Sequence, residues 1–252
     1  MSQPWEIYDA LLDGLPDDVV VRTAGQGPRW SRVLNSAGGV GTAWTMDVRS
    51  RPALNDGPLE GRPLRDVGAL AKSWNLAEAS IGQAAINSWY SREETAAANG
   101  FEPTGEGLTW RQVFDPYREM IVGKRVAVIG HFPFAEAALA GAGEYICLER
   151  NLQPGDWPDS ACEYVLPECD LVFISSSSFV NKTAPRLIEL SRQAHTVLVG
   201  PSTPLNPVLL DYGVDTITGF IAASSLSDPA SLAEMVPAGD IGPGFRVHRH
   251  RA

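Results

Sequence analysis

The chain is short of the residues that mark several common classes of protein. It has only three cysteines among 252 residues, Cys147, Cys162 and Cys169, an odd number without the CxxC spacing of a zinc site. Basic residues number 20 against 30 acidic ones, so the chain offers no basic face for a phosphate backbone. No apolar run approaches the roughly 20 residues that cross a bilayer. We therefore expect buried, reduced thiols in a cytoplasmic protein that binds neither nucleic acid nor membrane.

The first hundred residues change from strand-like to helix-like patterns. Apolar residues at helical spacing predict a helix within 4–15, and three short segments separated by glycines predict an antiparallel meander. A short helix around 67–72 and a long one over 76–98 follow. Strands followed by helices are typical of an α+β domain, which we place at 1–105. Gly82 lies inside the long helix and predicts a close approach by another segment.

Strand and helix patterns alternate after Lys124. Continuous apolar strands at 126–129, 171–174 and 197–199 are typical of parallel strands that are covered on both faces. We therefore expect an α/β fold in which a doubly wound, mainly parallel, Rossmann-like sheet occupies 106–252. Ligands of such sheets bind at the carboxyl ends of the strands, where the strand order reverses.

The first of these strand ends has the sequence GHFPF, from Gly130 to Phe134. A dinucleotide-binding turn has several glycines, but here His131 and Phe132 follow a single one, which disfavours NAD. Glu149 ends the next strand, where Rossmann proteins bind a ribose. The turn suits a ring that stacks on Phe132 and exchanges a proton with His131. His131 is also open to a role as a metal ligand or as a cap of the next helix.

The later strand ends carry further polar groups. Asp156 follows a Pro-Gly turn and is either a solvated turn residue or a ligand contact. The segment ISSSSFVNKT can cap the next helix or hold an anion. The loop after 197–199 is stiffened by prolines, and no G-x-S-x-G motif supports a nucleophilic serine. The candidate ligand-binding residues in these two segments are Ser175, Ser176, Asn181, Thr183, Gly200, Pro201 and Ser202.

Three further positions have alternative roles. Glu78 follows Asn75 by three residues, which fits a capping box as well as a catalytic acid or base. Asn87 points in nearly the opposite direction on the same helix, so only one of the two easily faces a given cleft. His248 and His250 lie on one side if the terminus is extended, but we expect a basic tail there rather than a metal site.

Five motifs in this order resemble one known family: EASIGQAAINS, VAVIGHFPF, LERNLQPGDWP, FVNKT and GPSTPLNPVLLDYGVD. The chain resembles the heavy-metal chelation family, a domain of unknown function preceded by its usual amino-terminal partner. The resemblance implies an enolase amino-terminal-like domain, a Rossmann-like domain and an active site in the cleft between them. It also implies heavy-metal chelation, or condensation or hydrolysis of pterin-, flavin- or siderophore-like compounds. The positions that match the family pattern are Glu78, Asn87, Gly130, His131, Phe132, Glu149, Gly155, Asp156, Asn181, Thr183, Gly200, Pro201 and Ser202.

The chain departs from the family pattern at the serine run and at Lys182, where glycine is common. Our first hypothesis is an enzyme that acts on a small polar or heterocyclic metabolite, with His131 or Glu78 as acid or base. The alternatives are a non-catalytic binder of a heavy metal or metal chelate, and a scaffold with a vestigial pocket. Since cysteine and histidine are scarce, we expect a metal to arrive inside an organic chelator, and the sequence identifies no direct metal ligand. A homodimer is left open.

Overall fold

The first hundred residues fold into a three-stranded antiparallel sheet covered by helices. The computed structural model of the protein describes residues 3–105 and 110–251. Within this small layer the strand order is β1-β2-β3. The elements are α1 (Glu6–Asp13), β1 (Val21–Gln26), β2 (Trp30–Asn35), β3 (Val40–Trp44), α2 (Leu64–Gly68), a 3-10 helix (Ala69–Lys72), α3 (Leu76–Tyr90) and α4 (Glu93–Ala98).

The helix predicted over 76–98 is interrupted. Arg92 takes an extended backbone, so α3 and α4 are separate helices. The guanidinium of Arg92 lies 5.0 Å from the ring centroid of Trp89, a cation–π contact.

The rest of the chain builds an eight-stranded sheet of order β4-β11-β10-β9-β8-β5-β6-β7. Strands from β10 to β7 in this order are parallel, while β11 and β4 are antiparallel additions. The elements are β4 (Glu102–Pro103), β5 (Arg125–Ile129), α5 (Ala135–Ala138), β6 (Glu144–Glu149), β7 (Trp157–Pro158), α6 (Cys162–Val165), β8 (Leu171–Ser175), α7 (Ala184–Leu190), β9 (His195–Val199), α8 (Val208–Asp211), β10 (Thr216–Ala222), α9 (Pro229–Met235) and β11 (Gly244–His250).

Short 3-10 helices connect these elements at Trp110–Tyr117, Asp159–Ala161, Leu166–Glu168, Ser176–Phe179, Ser224–Leu226 and Val236–Ala238. The chain runs from β5 outward to β6 and β7, then returns to β8 on the other side of β5 and continues to β9 and β10. The order therefore reverses between β5 and β8, as in a doubly wound fold. The predicted fold class is confirmed.

Both faces of the large sheet are buried, as the continuous apolar strands predict. Val126 and Val128 of β5 pack with Phe173 in one cluster, and Ala127 packs on the other face with Ile174 in a larger one. That larger cluster also includes residues of α1, α2 and α3, so the small layer and the large sheet share a continuous core.

The carboxyl terminus corrects one expectation. The segment predicted as a basic tail is β11, which lies between β4 and β10. The physical reason is its alternation, because Phe245 and Val247 join the core while Arg246 and His248 point to the opposite face. The predicted domain boundary at 105 stays a prediction, although Glu102 already pairs with His248 in the large sheet.

No helix within 3–105 or 110–251 combines the length and the apolar character needed to cross a membrane.

The close approach expected at Gly82 is present. A methyl group built on Gly82 would lie 2.0 Å from the backbone nitrogen of Ala71 and 2.4 Å from the carbonyl carbon of Leu70. Backbone atoms cannot move aside as a flexible side chain can, so only glycine lets α3 pass the 3-10 helix at Ala69–Lys72.

We predict that Gly82→Ala lowers the free energy of unfolding by about 2 kcal/mol or more, although alanine is the better helix former. Urea unfolding followed by circular dichroism measures the change. Gly57→Ala is the matched control, since no atom lies within 4 Å of its added methyl group. Equal stability of the Gly82→Ala protein and the wild type would contradict the packing argument.

Candidate functional site

A cavity of about 910 Å³ lies between the small sheet and the carboxyl ends of the parallel strands. We call it the central cavity. It sits where the strand order reverses, between the ends of β5 and β8. The residues predicted from sequence that line it are Gly130, His131, Phe132, Glu149, Ser175, Ser176, Asn181, Thr183, Gly200, Pro201 and Ser202.

The turn after β5 is shaped by one glycine and one carboxylate. Gly130 has a φ of 99°, and an added methyl group would lie 2.9 Å from Cβ of Ser175. Oε2 of Glu149 accepts a hydrogen bond of 2.8 Å from the backbone N–H of His131. Its Oε1 accepts from the backbone N–H groups of Arg150 and Asn151. Glu149 therefore fixes the loop that carries His131.

The side chain of His131 meets Asp156 and Cys147 at the edge of the cavity. Nδ1 of His131 lies 3.1 Å from Oδ1 and 3.2 Å from Oδ2 of Asp156, and 3.9 Å from Sγ of Cys147. The carboxylate of Asp156 is 4% exposed, against 26% for the imidazole. The alternative of a helix cap is wrong, because α5 begins only at Ala135 and no side chain caps it.

A tight turn places Asp156. Its backbone N–H donates to the carbonyl of Gln153, with Pro154 and Gly155 between them, and Gly155 has a φ of 96°. Proline followed by a glycine of positive φ is the signature of a type II turn. Oδ2 of Asp156 also accepts from the backbone N–H of Gln153 at 2.9 Å. The carboxylate is therefore held from two directions.

Burial and charge set the protonation of this cluster. Burial, reinforced by the nearby Asp156 carboxylate, raises the pKa of the Cys147 thiol to about 12. Burial opposes ionisation of Asp156 as well. Hydrogen bonds from the Gln153 backbone, the Cys147 thiol and the His131 ring nevertheless hold the pKa of its carboxyl below the usual value.

Cys147 was expected to be a plain buried thiol, and its place in this cluster was missed. The available signal was its spacing from Glu149, two residues on in β6, which puts both side chains on one face of the strand.

The serine run and the β9 loop form another part of the wall. Oγ of Ser175 and Oγ of Ser177 are 2.9 Å apart, whereas Oγ of Ser178 is buried and has no hydrogen-bond partner among the described residues. Gly200 has a φ of 127° and passes so close to Ser176 that a methyl group would lie 2.7 Å from its Oγ.

The capping alternative for this segment does not hold. Oδ1 of Asn181 accepts hydrogen bonds from the backbone N–H and the hydroxyl of Thr183, and no side chain caps the start of α7. Asn181 and Thr183 thus form a local turn that faces the cavity.

Three predicted site residues, Glu78, Asn87 and Asp156, lie away from the cavity wall. Glu78 accepts hydrogen bonds from the backbone N–H groups of Leu54 and Asn55, and its own N–H donates to the predicted cap Asn75. Asn87 is fully buried and donates to the carbonyl of Thr42. Asp156 also lies outside the wall and reaches it through His131.

The small sheet contributes residues that the sequence did not identify. Trp30 and Trp44 are partners in the β2–β3 register, and their rings meet edge to face at 5.2 Å. Both line the central cavity together with Arg29. The paired tryptophans at matching hairpin positions were the signal available for them.

Three of the four histidines meet elsewhere, around Thr216. Its Oγ1 lies 3.0 Å from Nδ1 of His250 and 3.4 Å from Nε2 of His195, and the His248 and His250 rings are 4.8 Å apart. A small cavity of about 130 Å³ adjoins them. Burial, and secondarily His250, lowers the pKa of His248.

Because the folded state lowers the pKa of His248, the unfolded chain binds its proton more readily. Above the ordinary histidine pKa of about 6.5, His248 is neutral in both states and costs the folded protein no stability. As the pH falls towards the lowered pKa of the folded state, the unfolded chain binds the proton first and the free energy of unfolding decreases. We predict that His248→Asn loses less free energy of unfolding than the wild type between about pH 7.5 and about pH 5.5. Urea titrations at both pH values measure the difference, and parallel losses in the two proteins would refute the assignment.

A doubly wound sheet with a small α+β layer over its switch point defines the protein as a Rossmann-like α/β protein of two sheets. A family model described as "Putative heavy-metal chelation" (DUF364) matches residues 112–246, and another with the same description (DUF4213) matches residues 8–90. The chain belongs to the DUF364 family.

Solved structures resemble the whole chain. A crystal structure of a DUF364 protein of unknown function from Desulfitobacterium hafniense is 36% identical, covers 98% of both chains and has a TM-score of 0.85. Another, from Pyrococcus horikoshii, is 21% identical, covers 98% of this chain and 99% of its own, and has a TM-score of 0.78. The second likeness concerns the fold alone. No curated protein matches the chain.

Proposed function

We propose that the protein binds a small polar metabolite with a planar ring, such as a pterin-, flavin- or siderophore-like compound, in the central cavity. We further propose that His131 exchanges a proton with it. The observation that carries this proposal is the convergence of aromatic and polar side chains from both sheets around one space of about 910 Å³. That volume lies within the range of about 300–1,000 Å³ that small-molecule sites occupy.

Aromatic side chains on two walls support a ring-shaped ligand. Trp30 and Trp44 come from the small sheet, and Phe132 and Phe134 from the turn after β5. Trp44 is 38% exposed, so it still has surface to cover. Aromatic faces stack on planar rings at little cost in conformational entropy.

Polar groups between these walls support recognition of the ring substituents. The hydroxyl of Ser178 is buried without a partner among the described residues, so a ligand acceptor or donor would satisfy it. Asn181 lines the same space, and Arg29 supplies a cation at its rim. A ligand with hydrogen-bonding edges and an anionic substituent fits this set.

The turn after β5 supports a ligand without a pyrophosphate. The backbone N–H of His131 already donates to Glu149, so it is not free for a phosphate oxygen. The carboxylate of Glu149 would also repel a phosphate group at this position.

The pairing of His131 with Asp156 supports proton transfer. Asp156 lies against Nδ1, which leaves Nε2 as the ring nitrogen for the ligand. An imidazole oriented by a carboxylate is a common general acid and base, and condensation or hydrolysis needs both. Asp156 would act here as a positioning residue. Glu78 has no part in this proposal, because its carboxylate is bonded to the backbone of 54–55.

A second candidate is a non-catalytic protein that holds a metal chelate in the same cavity. The description of the family favours it. The enzyme and the non-catalytic binder differ in turnover, because a binding protein releases its ligand chemically unchanged.

We predict that Asn181→Ala and Ser178→Ala each weaken binding of a fluorescent probe by roughly tenfold, the loss of one hydrogen bond. Pterin-6-carboxylate and flavin mononucleotide are suitable probes, because both combine a planar ring with an anionic group. Fluorescence polarisation gives the Kd, and native mass spectrometry of the purified protein shows any ligand that it retains.

His248→Ala is the control, since His248 adjoins the other, smaller cavity. It should bind the probes as the wild type does. If the wild type retains no ligand and binds neither probe, the metabolite proposal fails. If His248→Ala weakens binding as much as Asn181→Ala does, the site lies elsewhere.

A further inference from the structure

We propose that Cys147, His131 and Asp156 bind one divalent transition-metal ion with the ligand preference of zinc. Their donor atoms, Sγ, Nδ1 and a carboxylate oxygen, lie within 4.8 Å of one another. Among the residues described, no other group of three or more cysteine, histidine and acidic side chains meets this condition. The chain itself would thus supply ligands that we had expected from an organic chelator.

The separations of the donor atoms suit a tetrahedral ion. Zinc bonds are usually about 2.3 Å long to sulfur and about 2.0–2.2 Å long to nitrogen and oxygen. In a tetrahedral site these lengths separate a nitrogen ligand from a sulfur ligand by about 3.6 Å, and a nitrogen ligand from an oxygen ligand by about 3.4 Å. The structure has 3.9 Å from Nδ1 of His131 to Sγ of Cys147 and 3.1 Å to Oδ1 of Asp156. These two separations lie within a few tenths of an ångström of the tetrahedral values, and the separation of Sγ of Cys147 from the Asp156 carboxylate is at most 4.8 Å.

Each ligand is held before any ion arrives. Cys147 is on β6, inside the parallel sheet. The backbone of His131 is tied to Glu149, and Asp156 is fixed by its turn with Gln153. Because the chain has already ordered these groups, binding an ion costs little further conformational entropy.

The charges balance on binding. The Cys147 thiol gives its proton to solvent, His131 offers the lone pair of Nδ1 with its proton on Nε2, and Asp156 binds as a carboxylate. A divalent ion with one thiolate and one carboxylate carries no net charge, which suits a partly buried site. A set of sulfur, nitrogen and oxygen donors favours zinc-like ions over magnesium or calcium.

Three protein ligands leave one tetrahedral position open, as in catalytic zinc sites. His131 also lines the central cavity, so the ion would lie at its edge. A donor atom of a bound metabolite could take the fourth position. With the ion bound, His131 is a ligand through Nδ1 and does not exchange a proton with the metabolite, so the metal site stands apart from that part of the proposed function. Its test uses the metal alone.

Cobalt absorption tests the site directly. We expect the full-length protein, stripped with a chelator, to bind Co²⁺ at one per chain with thiolate-to-metal charge-transfer absorption in the near ultraviolet. Zn²⁺ should displace Co²⁺ and abolish this band. Cys147→Ser should remove the band and weaken Zn²⁺ binding by roughly a hundredfold or more. Asp156→Asn should keep the thiolate band but require more Co²⁺ to reach it.

Cys169→Ser is the matched control, because Cys169 is an equally buried thiol whose Sγ donates to the carbonyl of Val165. It should retain the band and the Zn²⁺ affinity. Zn²⁺ should also raise the Tm of the wild type and of Cys169→Ser but not of Cys147→Ser, if that variant folds. If Cys147→Ser does not fold, the Asp156→Asn variant is the test. An affinity of Asp156→Asn for Co²⁺ equal to that of the wild type would overturn the proposal.

If the folded wild-type protein shows no thiolate-to-cobalt absorption, the metal-site proposal is wrong, whether or not the fluorescent probes bind in the central cavity. Conversely, metal binding without probe binding would leave the metal site in place and remove the metabolite proposal. The two results are therefore distinguishable.

Discussion

The central cavity depends on a buried set of hydrogen bonds that fastens the small layer to the β9 loop. Oγ of Ser202 accepts from the backbone N–H of Trp44, and its carbonyl accepts from the amide of Gln83. Gln83 also donates to Asn87, which in turn donates to the carbonyl of Thr42. Breaking one such bond leaves a buried polar group unsatisfied, at a cost of about 1–3 kcal/mol. These contacts set the separation of the two sheets, and with it the height of the cavity.

The same contacts explain which site residues could be predicted from sequence. Residues at strand ends, such as Gly130 and Gly200, line the cavity, because a parallel sheet brings all its carboxyl ends to one edge. The orientation of a polar side chain on a helix is set by its tertiary partners, which no local pattern records. Glu78 therefore caps the 54–55 backbone, Asn87 supports the β3 strand, and Cys147 joins a cluster assembled from three separate turns and strands.

The helix and strand patterns likewise predicted the elements that local sequence determines and missed those that depend on tertiary contacts. Periodicity predicted the meander and the parallel strands, since burial on one or both faces dictates which positions are apolar. It failed at Arg92, where an extended residue separates α3 from α4, and at β11, where Phe245 and Val247 alternate with basic residues. A short alternating segment with many cations has the composition of a solvated tail. Only the neighbouring β4 and β10 strands make it part of a sheet.

Lys182 adopts a backbone conformation that usually requires glycine. It has a φ of 66°, a conformation that costs an L-residue about 1–2 kcal/mol. Its ammonium donates to the carbonyl of Val180 and lies 5.6 Å from the ring centroid of Trp74, contacts that offset part of this strain. Burial lowers the pKa of Lys182 to about 8, and the charge of Glu78 opposes that shift. This attraction links Glu78, which lies outside the wall, to the turn that presents Asn181 and Thr183 to the cavity.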